Sequence, residues 1–474
     1  MLFTQQVFFI FIFIVFSLYW IIPREKITLR NILLLISSYV FYGWWDWRFL
    51  GLIFLSSLCD YFFALKIHNS SNEKAKKYFL WGSLFVNLGL LLTFKYFNFF
   101  IHNAESLLTT LGFQANLPSL KIILPVGISF YTFQTLSYTI DVYRGNLKPT
   151  KSLINFFAFV SFFPQLVAGP IERASHLLPQ FSNKKEFCFK KFEDGSRIAL
   201  WGFFKKVVVA DNCATIANAA FENYQTNHGL PLFIGMFAFS FQIYGDFSGY
   251  SDIAIGVSRM FGFDLMRNFK SPYLARDIAE FWRRWHISLS TWFRDYLYIP
   301  LGGSRGGKWQ SVRNTFIIFL ISGFWHGANW TFIIWGLIHS LLFLPLLILE
   351  KNRGFLDENI KIIHLPRILI NYLLVCVAWI FFRADSLSNA TVYLQNMLSS
   401  GFSISLFNPY ILLFGIFFSA CLMIFEFITQ KEESPLIFLK KGTGRPIRWG
   451  IYILLINITL LFQGKMQEFI YFQF

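Results

Sequence analysis

Two histidines sit inside an apolar run, FLISGFWHGANWTFIIWGLIHS (319–340), together with an asparagine and three glycines. A span of about 20 residues through hydrocarbon is apolar throughout, because its polar groups find no water there. An ionisable side chain at such depth points to function. Neutral imidazole is cheaper to bury than a carboxylate and takes a proton near pH 7, which suits a general base. The bland alternative is an imidazole hydrogen-bonded to a helix backbone. On one continuous helix His326 and His339 would stand roughly 20 Å apart along the axis and about 140° apart around it. They reach one substrate only if the helix breaks, and Gly323 and Gly327, bracketing His326, could supply that irregularity.

Other chemistry-bearing residues are sparse. The eight histidines (68, 102, 176, 228, 286, 326, 339 and 364) approach no closer than 13 residues, and no HExxH is present, so no histidine metal site is expected. No GxSxG elbow supports a serine hydrolase of that type. FQIYGDFSGYSDIAIG (241–256) places Asp246 and Asp252 in an otherwise spanning run, beside Tyr244, Ser248, Tyr250 and Ser251. These either line a polar tunnel or pair with polar groups on neighbouring helices.

The elements that must hold these residues are membrane helices. Of 474 residues, 55% are hydrophobic, 20% aromatic and 14% charged, against about 25% charged in a soluble domain. The net charge of +16 sits in short loops, where Lys and Arg orient spans, and no basic face for nucleic acid stands outside them. The five cysteines are scattered and imply no disulfide framework. Twelve apolar runs are expected to cross: 6–23, 31–45, 48–65, 78–100, 122–143, 207–222, 231–257, 314–325, 329–349, 366–383, 407–428 and 447–463. The first lacks a basic n-region and a cleavage site, so it reads as a retained span. FFAFVSFFPQLVAGPIER (156–173), interrupted by Pro164, Gly169 and Pro170, reads as re-entrant.

Loop charge sets an orientation. Arg24 to Arg30, Lys66 to Lys77, Arg144 to Lys151, the long loop from Arg173 to Lys206 and the loop 430–448 read as cytoplasmic. A last crossing would then carry the tail, 464–474, to the outer face. The stretch 259–313 mixes aromatics with Arg276, Arg283, Arg284, Arg294, Arg305 and Lys308. It is expected along the cytoplasmic surface, as an aromatic anchor or as a rim attracting an anionic, phosphate-bearing donor. The GGSRGG turn (302–307) brings amides near phosphate only weakly, since it matches no Walker pattern.

FWRRWHISLSTWFRDYLYIPLGGSRGG followed by FLISGFWHGANWTFIIWGLIH, with PQLVAGPIER (164–173) and DFSGYSDIAIG (246–256), resembles the membrane-bound O-acyltransferase (MBOAT) family in its alginate and peptidoglycan O-acetyltransferase branch. The resemblance implies one all-α polytopic membrane domain over 1–474. Its form would be a helical funnel of about 11–13 membrane segments, counting the re-entrant stretch and interfacial helices. A cytosolic acyl thioester, acetyl-CoA, would there meet an acceptor presented from outside. The family's WHG histidine falls on His326 and its RWH histidine on His286. Trp325, Asn329, Arg294 and Arg305 are the substrate-binding positions the matched motifs suggest.

FIYFQF (469–474) is similar to a short aromatic ending in the same branch. This makes Tyr471 the implied acyl carrier, or else an aromatic-belt anchor. The resemblance further implies no tightly bound cofactor, contact with membrane lipid, a separate extracytoplasmic SGNH-type partner and a bacterial cytoplasmic membrane. The final acceptor would be a polysaccharide, peptidoglycan ahead of alginate. D-alanyl export or transport without chemistry are the alternatives, and no repeated halves favour a transporter.

Overall fold

A computed structural model of the chain describes all residues except 114–115, 121–122, 357–358, 433–434, 464–466, 468 and 471–474. Among the described residues every regular element is helical. Six stretches are long and apolar enough to cross a membrane: Ile27–Asn69, Glu73–Thr110, Leu230–Met260, Trp330–Ile348, Ile362–Arg383 and Pro409–Ile428. The first holds two of the expected runs, because it parts at Asp46. There the backbone turns extended and the carboxylate accepts from the amide of Arg48 at 3.0 Å, opening a new helix at Leu50.

The chain divides into two compact units, 1–192 with 258–266, and 193–257 with 267–474. In the first unit the helices Leu50–Asn69, Glu73–Leu91 and Ile128–Tyr143 pack around a buried polar centre. Asp60 accepts from Ser83 and Thr139 through Oδ1 and from Asn87 through Oδ2. Asn87 in turn accepts from Ser56 and Thr135. The interrupted stretch after Leu153–Ser161 lies buried. Its free backbone is met by protein, as irregular chain at membrane depth requires: the amide of Phe163 donates to Ser38 Oγ, and Phe159 O accepts from Gln134 and Gln165.

The second unit holds His286, His326 and His339. Within it, the most hydrophobic window of Leu230–Met260 is 72% buried, against 17% for Glu73–Thr110. A helix shielded from lipid by its neighbours can carry carboxylates, and this one carries Asp246 and Asp252. Two sequence expectations change here. The cytoplasmic loop ending at Lys206 is instead the helix Phe189–Phe203 running into a π-turn, Phe204–Ala210, in which Lys205 and Lys206 are buried. Both lysines have carboxylate partners: Lys205 meets Asp252 at 2.6 Å, and Lys206 meets Asp211 and Asp246. The surface stretch 259–313 likewise splits, with the short helices Ile278–Arg284 and Ile287–Phe293 carrying buried faces and the following turn exposed.

Candidate active site

The broken span of 319–340 is a helical hairpin. Lys308–His326 ends at the histidine, Gly327 turns extended, and Asn329 opens Trp330–Ile348 by accepting from the amide of Thr331. The two helices run back along each other. A Cβ on Gly323 would stand 2.2 Å from Phe332 O, and one on Gly336 would stand 2.2 Å from Phe319 O, so only glycine permits this approach at either position. The reversal brings together histidines that a continuous helix would separate. His326 and His339 flank one ring, Trp335, at centroid distances of 5.1 and 4.7 Å.

His326 is 4% exposed and enclosed by Trp325, Trp335 and Phe382. It is also the last residue of its helix. The carbonyl end of a helix carries partial negative charge and favours a cation by about 0.3–1 kcal/mol, more when partly buried. A proton taken up by a ring there is stabilised by that partial charge.

His286 comes from the RWH motif, between Ile278–Arg284 and Ile287–Phe293, with a left-handed backbone (φ 42°). A non-glycine residue in that region costs on the order of 1–3 kcal/mol and is held by its surroundings. Two backbone hydrogen bonds supply the hold: the amide of Lys270 donates to Arg284 O, and that of Ile287 donates to Asn268 O, both at 2.9 Å. Asn268 also fixes the ring. Its Oδ1 takes bonds from Ser288 N and Oγ, so it accepts from His286 Nδ1 at 3.2 Å and leaves Nε2 as the ring's basic nitrogen. Burial pushes the imidazole down to about 3, so it is neutral near pH 7. Glu280 stiffens the preceding turn by bridging Arg276 and Arg284.

Trp325 joins the two centres, with centroids 4.9 Å from His326 and 6.3 Å from His286. His339 completes the cluster. Its Nδ1 accepts from Trp282 Nε1 at 3.3 Å, so the proton of the neutral ring lies on Nε2. That Nε2 and the indole nitrogen of Trp335 are buried with no hydrogen-bond partner among the described residues. The three histidines thus sit in a buried cluster of aromatic rings. Such surroundings strengthen every electrostatic interaction.

The C-terminal segment reaches the same unit. Phe469 and Ile470 are buried, the amide of Ile470 donates to Asp246 Oδ2 at 2.7 Å, and Phe469 packs on Tyr250 and Phe247. Phe247 lies 4.7 Å from the His286 ring. Tyr471 itself lies outside the described residues.

The other sequence candidates are placed elsewhere. Asn329 spends its oxygen on the helix cap and its nitrogen on Asp385 O. Arg294 is exposed and paired with Asp295, and Arg305 is exposed in the glycine-rich turn. Sequence reasoning passed over Asn268, Trp282, Trp335 and Trp379. The alternation of tryptophan with histidine at i and i+4 along 335–339 was the available signal for one of them. Among the described residues no three metal-ligating side chains converge.

Comparison with known proteins gives a consistent result. The model of the family described as MBOAT, membrane-bound O-acyltransferase, matches residues 39–351. The probable alginate O-acetylase AlgI of Pseudomonas putida is 42% identical over 404 residues, covering 85% of this chain and 81% of that one. The peptidoglycan O-acetyltransferase of Helicobacter pylori is 39% identical over 394 residues, 77% of this chain and 73% of that one. The teichoic acid D-alanyltransferase of Bacillus subtilis is 31% identical over 242 residues, 48% and 60% of the two chains.

Proposed function

The chain belongs to the membrane-bound O-acyltransferase family and is a multi-pass membrane O-acyltransferase, and from that premise we propose that it relays acetyl from cytosolic acetyl-CoA, through Tyr471, to an extracytoplasmic polysaccharide. His326 takes the proton of the tyrosine hydroxyl as its oxygen attacks the thioester carbonyl. The C–S bond breaks, and the thiolate leaves with the proton returned from the imidazolium. His286, neutral and fixed by Asn268, orients the reacting groups, and the N–H of His339 faces the same aromatic wall. The tyrosyl ester has a phenol leaving group of pKa about 10. It is therefore activated, and an SGNH-type partner outside the membrane can pass its acetyl group on without further energy input.

One observation carries this reading. The residues immediately before Tyr471 are buried against Phe247 and Tyr250, with Phe247 in contact with the ring of His286. The acceptor is proposed as a class, a cell-wall or extracellular polysaccharide in a bacterial cytoplasmic-membrane setting. Peptidoglycan is the expectation from sequence, and similarity to the AlgI relatives supports an alginate-like exopolysaccharide as the second reading.

The test is intact mass and peptide mapping after incubation with isotopically labelled acetyl-CoA. Wild type should gain one acetyl group on the C-terminal peptide, and His326→Ala and Tyr471→Phe should gain none. Label persisting in Tyr471→Phe would move the carrier to another residue.

A further inference from the structure

The mechanism leaves unused a buried cluster of three charges beside the C-terminal segment. Lys206 lies in the π-turn Phe204–Ala210, which packs on the helix Leu230–Met260 at two glycines. A Cβ on Gly249 would stand 2.9 Å from Lys206 N, and one on Gly245 would stand 2.9 Å from Lys205 O. These glycines let the turn close onto the helix and deliver the ammonium group to Asp246. Single π-helical turns of this kind within α-helices are frequent at functional sites.

An ammonium group has three donors, and the geometry accounts for all three. Lys206 Nζ reaches Asp211 Oδ1 at 2.9 Å, Asp246 Oδ1 at 2.7 Å and the backbone oxygen of Gln467 at 3.3 Å. Asp246 spends its second oxygen on the amide of Ile470 at 2.7 Å. Beside Asp211 on the helix Asp211–Glu222, Asn212 Nδ2 reaches Phe462 O at 3.3 Å. The cluster therefore grips the segment through backbone atoms alone, at 467 and 470. A grip on backbone fixes position and register without reading side chains, and a tether of this kind suits a segment whose next residue must meet a fixed base.

We infer that Lys206, Asp211 and Asp246 form a charged clamp that seats the C-terminal segment by its backbone, making them positioning residues for the transfer. This rests on the reading of Tyr471 as carrier for its purpose, though the clamp itself is measurable without it.

The experiment is hydrogen–deuterium exchange of the full-length purified protein, followed by rates of tail acetylation. In wild type the C-terminal peptide should exchange slowly. Asp246→Ala should speed that exchange at least about ten-fold, the effect of losing a charge-assisted hydrogen bond, while peptides from Trp330–Ile348 stay protected. Because that change removes one of the two carboxylates of Lys206 and could unfold the unit, Ile470→Pro provides a second route. It deletes the amide that Asp246 accepts and leaves every charge in place, and it should release the remaining tail amides to a similar extent. Its acetylation kcat should fall at least about ten-fold with the acetyl-CoA KM unchanged, a split that general damage would not produce.

Unchanged tail exchange in a folded Asp246→Ala or in Ile470→Pro overturns the clamp. So does a wild-type tail that exchanges freely. Protection that is lost in the variants, with no acetyl on Tyr471 in any form, keeps the clamp and overturns the carrier.

Discussion

The two units each bury a polar centre, and the centres are built on opposite terms. Around Asp60 every partner is internal: two hydroxyls and an amide converge on one carboxylate, and Asn87 gathers two further hydroxyls. Around the histidines the walls are rings, and the N–H groups of His339 and Trp335 have no acceptor among the described residues. A buried donor without an acceptor costs about 1–3 kcal/mol. Closed hydrogen bonding glues helices together; open donors among packed rings still have valences to spend. Two equally hidden polar centres are thus separated by whether their valences are spent.

Substitutions should split along that line. His326→Ala should lower acetyl transfer by roughly 10²–10⁴-fold with thermal stability nearly unchanged, read by labelled-acetyl turnover and a melting curve on one preparation. A comparable loss of stability with transfer intact would reverse the assignment. Asn268→Leu, which frees the ring of His286 without touching it, should cost about ten-fold in turnover, the price of a misplaced group.

Asp60→Ala should do the reverse. It strands the donors of Ser83, Asn87 and Thr139 and should lower stability on the order of 2 kcal/mol, while turnover per folded molecule stays within about two-fold.

The smallest effect is in pH. The folded His286 binds a proton only near 3, whereas the unfolded residue binds one near 6.5. Between those values the unfolded state holds more protons, so this histidine withdraws stability as pH falls below about 6.5. In denaturation midpoints measured from pH 7 to 5, His286→Gln should show a shallower decline than wild type. Parallel declines would place the acid sensitivity elsewhere.

Much of the fold could be read directly. Glycine and proline interrupting apolar runs marked both the hairpin after His326 and the irregular stretch beyond Ser161, because hydrophobic length and backbone breakers are local properties. Lys206 was misread because charge in a membrane sequence ordinarily marks water. One counter-charge, Asp211, follows five residues on in a stretch read as a separate apolar run, and the other, Asp246, lies 40 residues on, beyond any local window. Asn268 was equally hidden, since nothing in NFKSPY tells an anchoring amide from a loop residue. Arg294 and Arg305 are exposed, as a surface rim read from basic composition requires, and they stand apart from the buried aromatic cluster.

The hairpin has a bearing on how mutational data for this chain would look. Gly323 and Gly336 bear no reactive atom, yet each sits where one added carbon meets the opposing backbone at 2.2 Å. In a saturation scan scored by growth they would appear as intolerant as His326, and a map of essential positions drawn from phenotype alone would fold spacers and chemistry into one class. Only a second score, protein abundance, separates them: glycine variants drop out of the membrane fraction, and histidine variants remain there, silent.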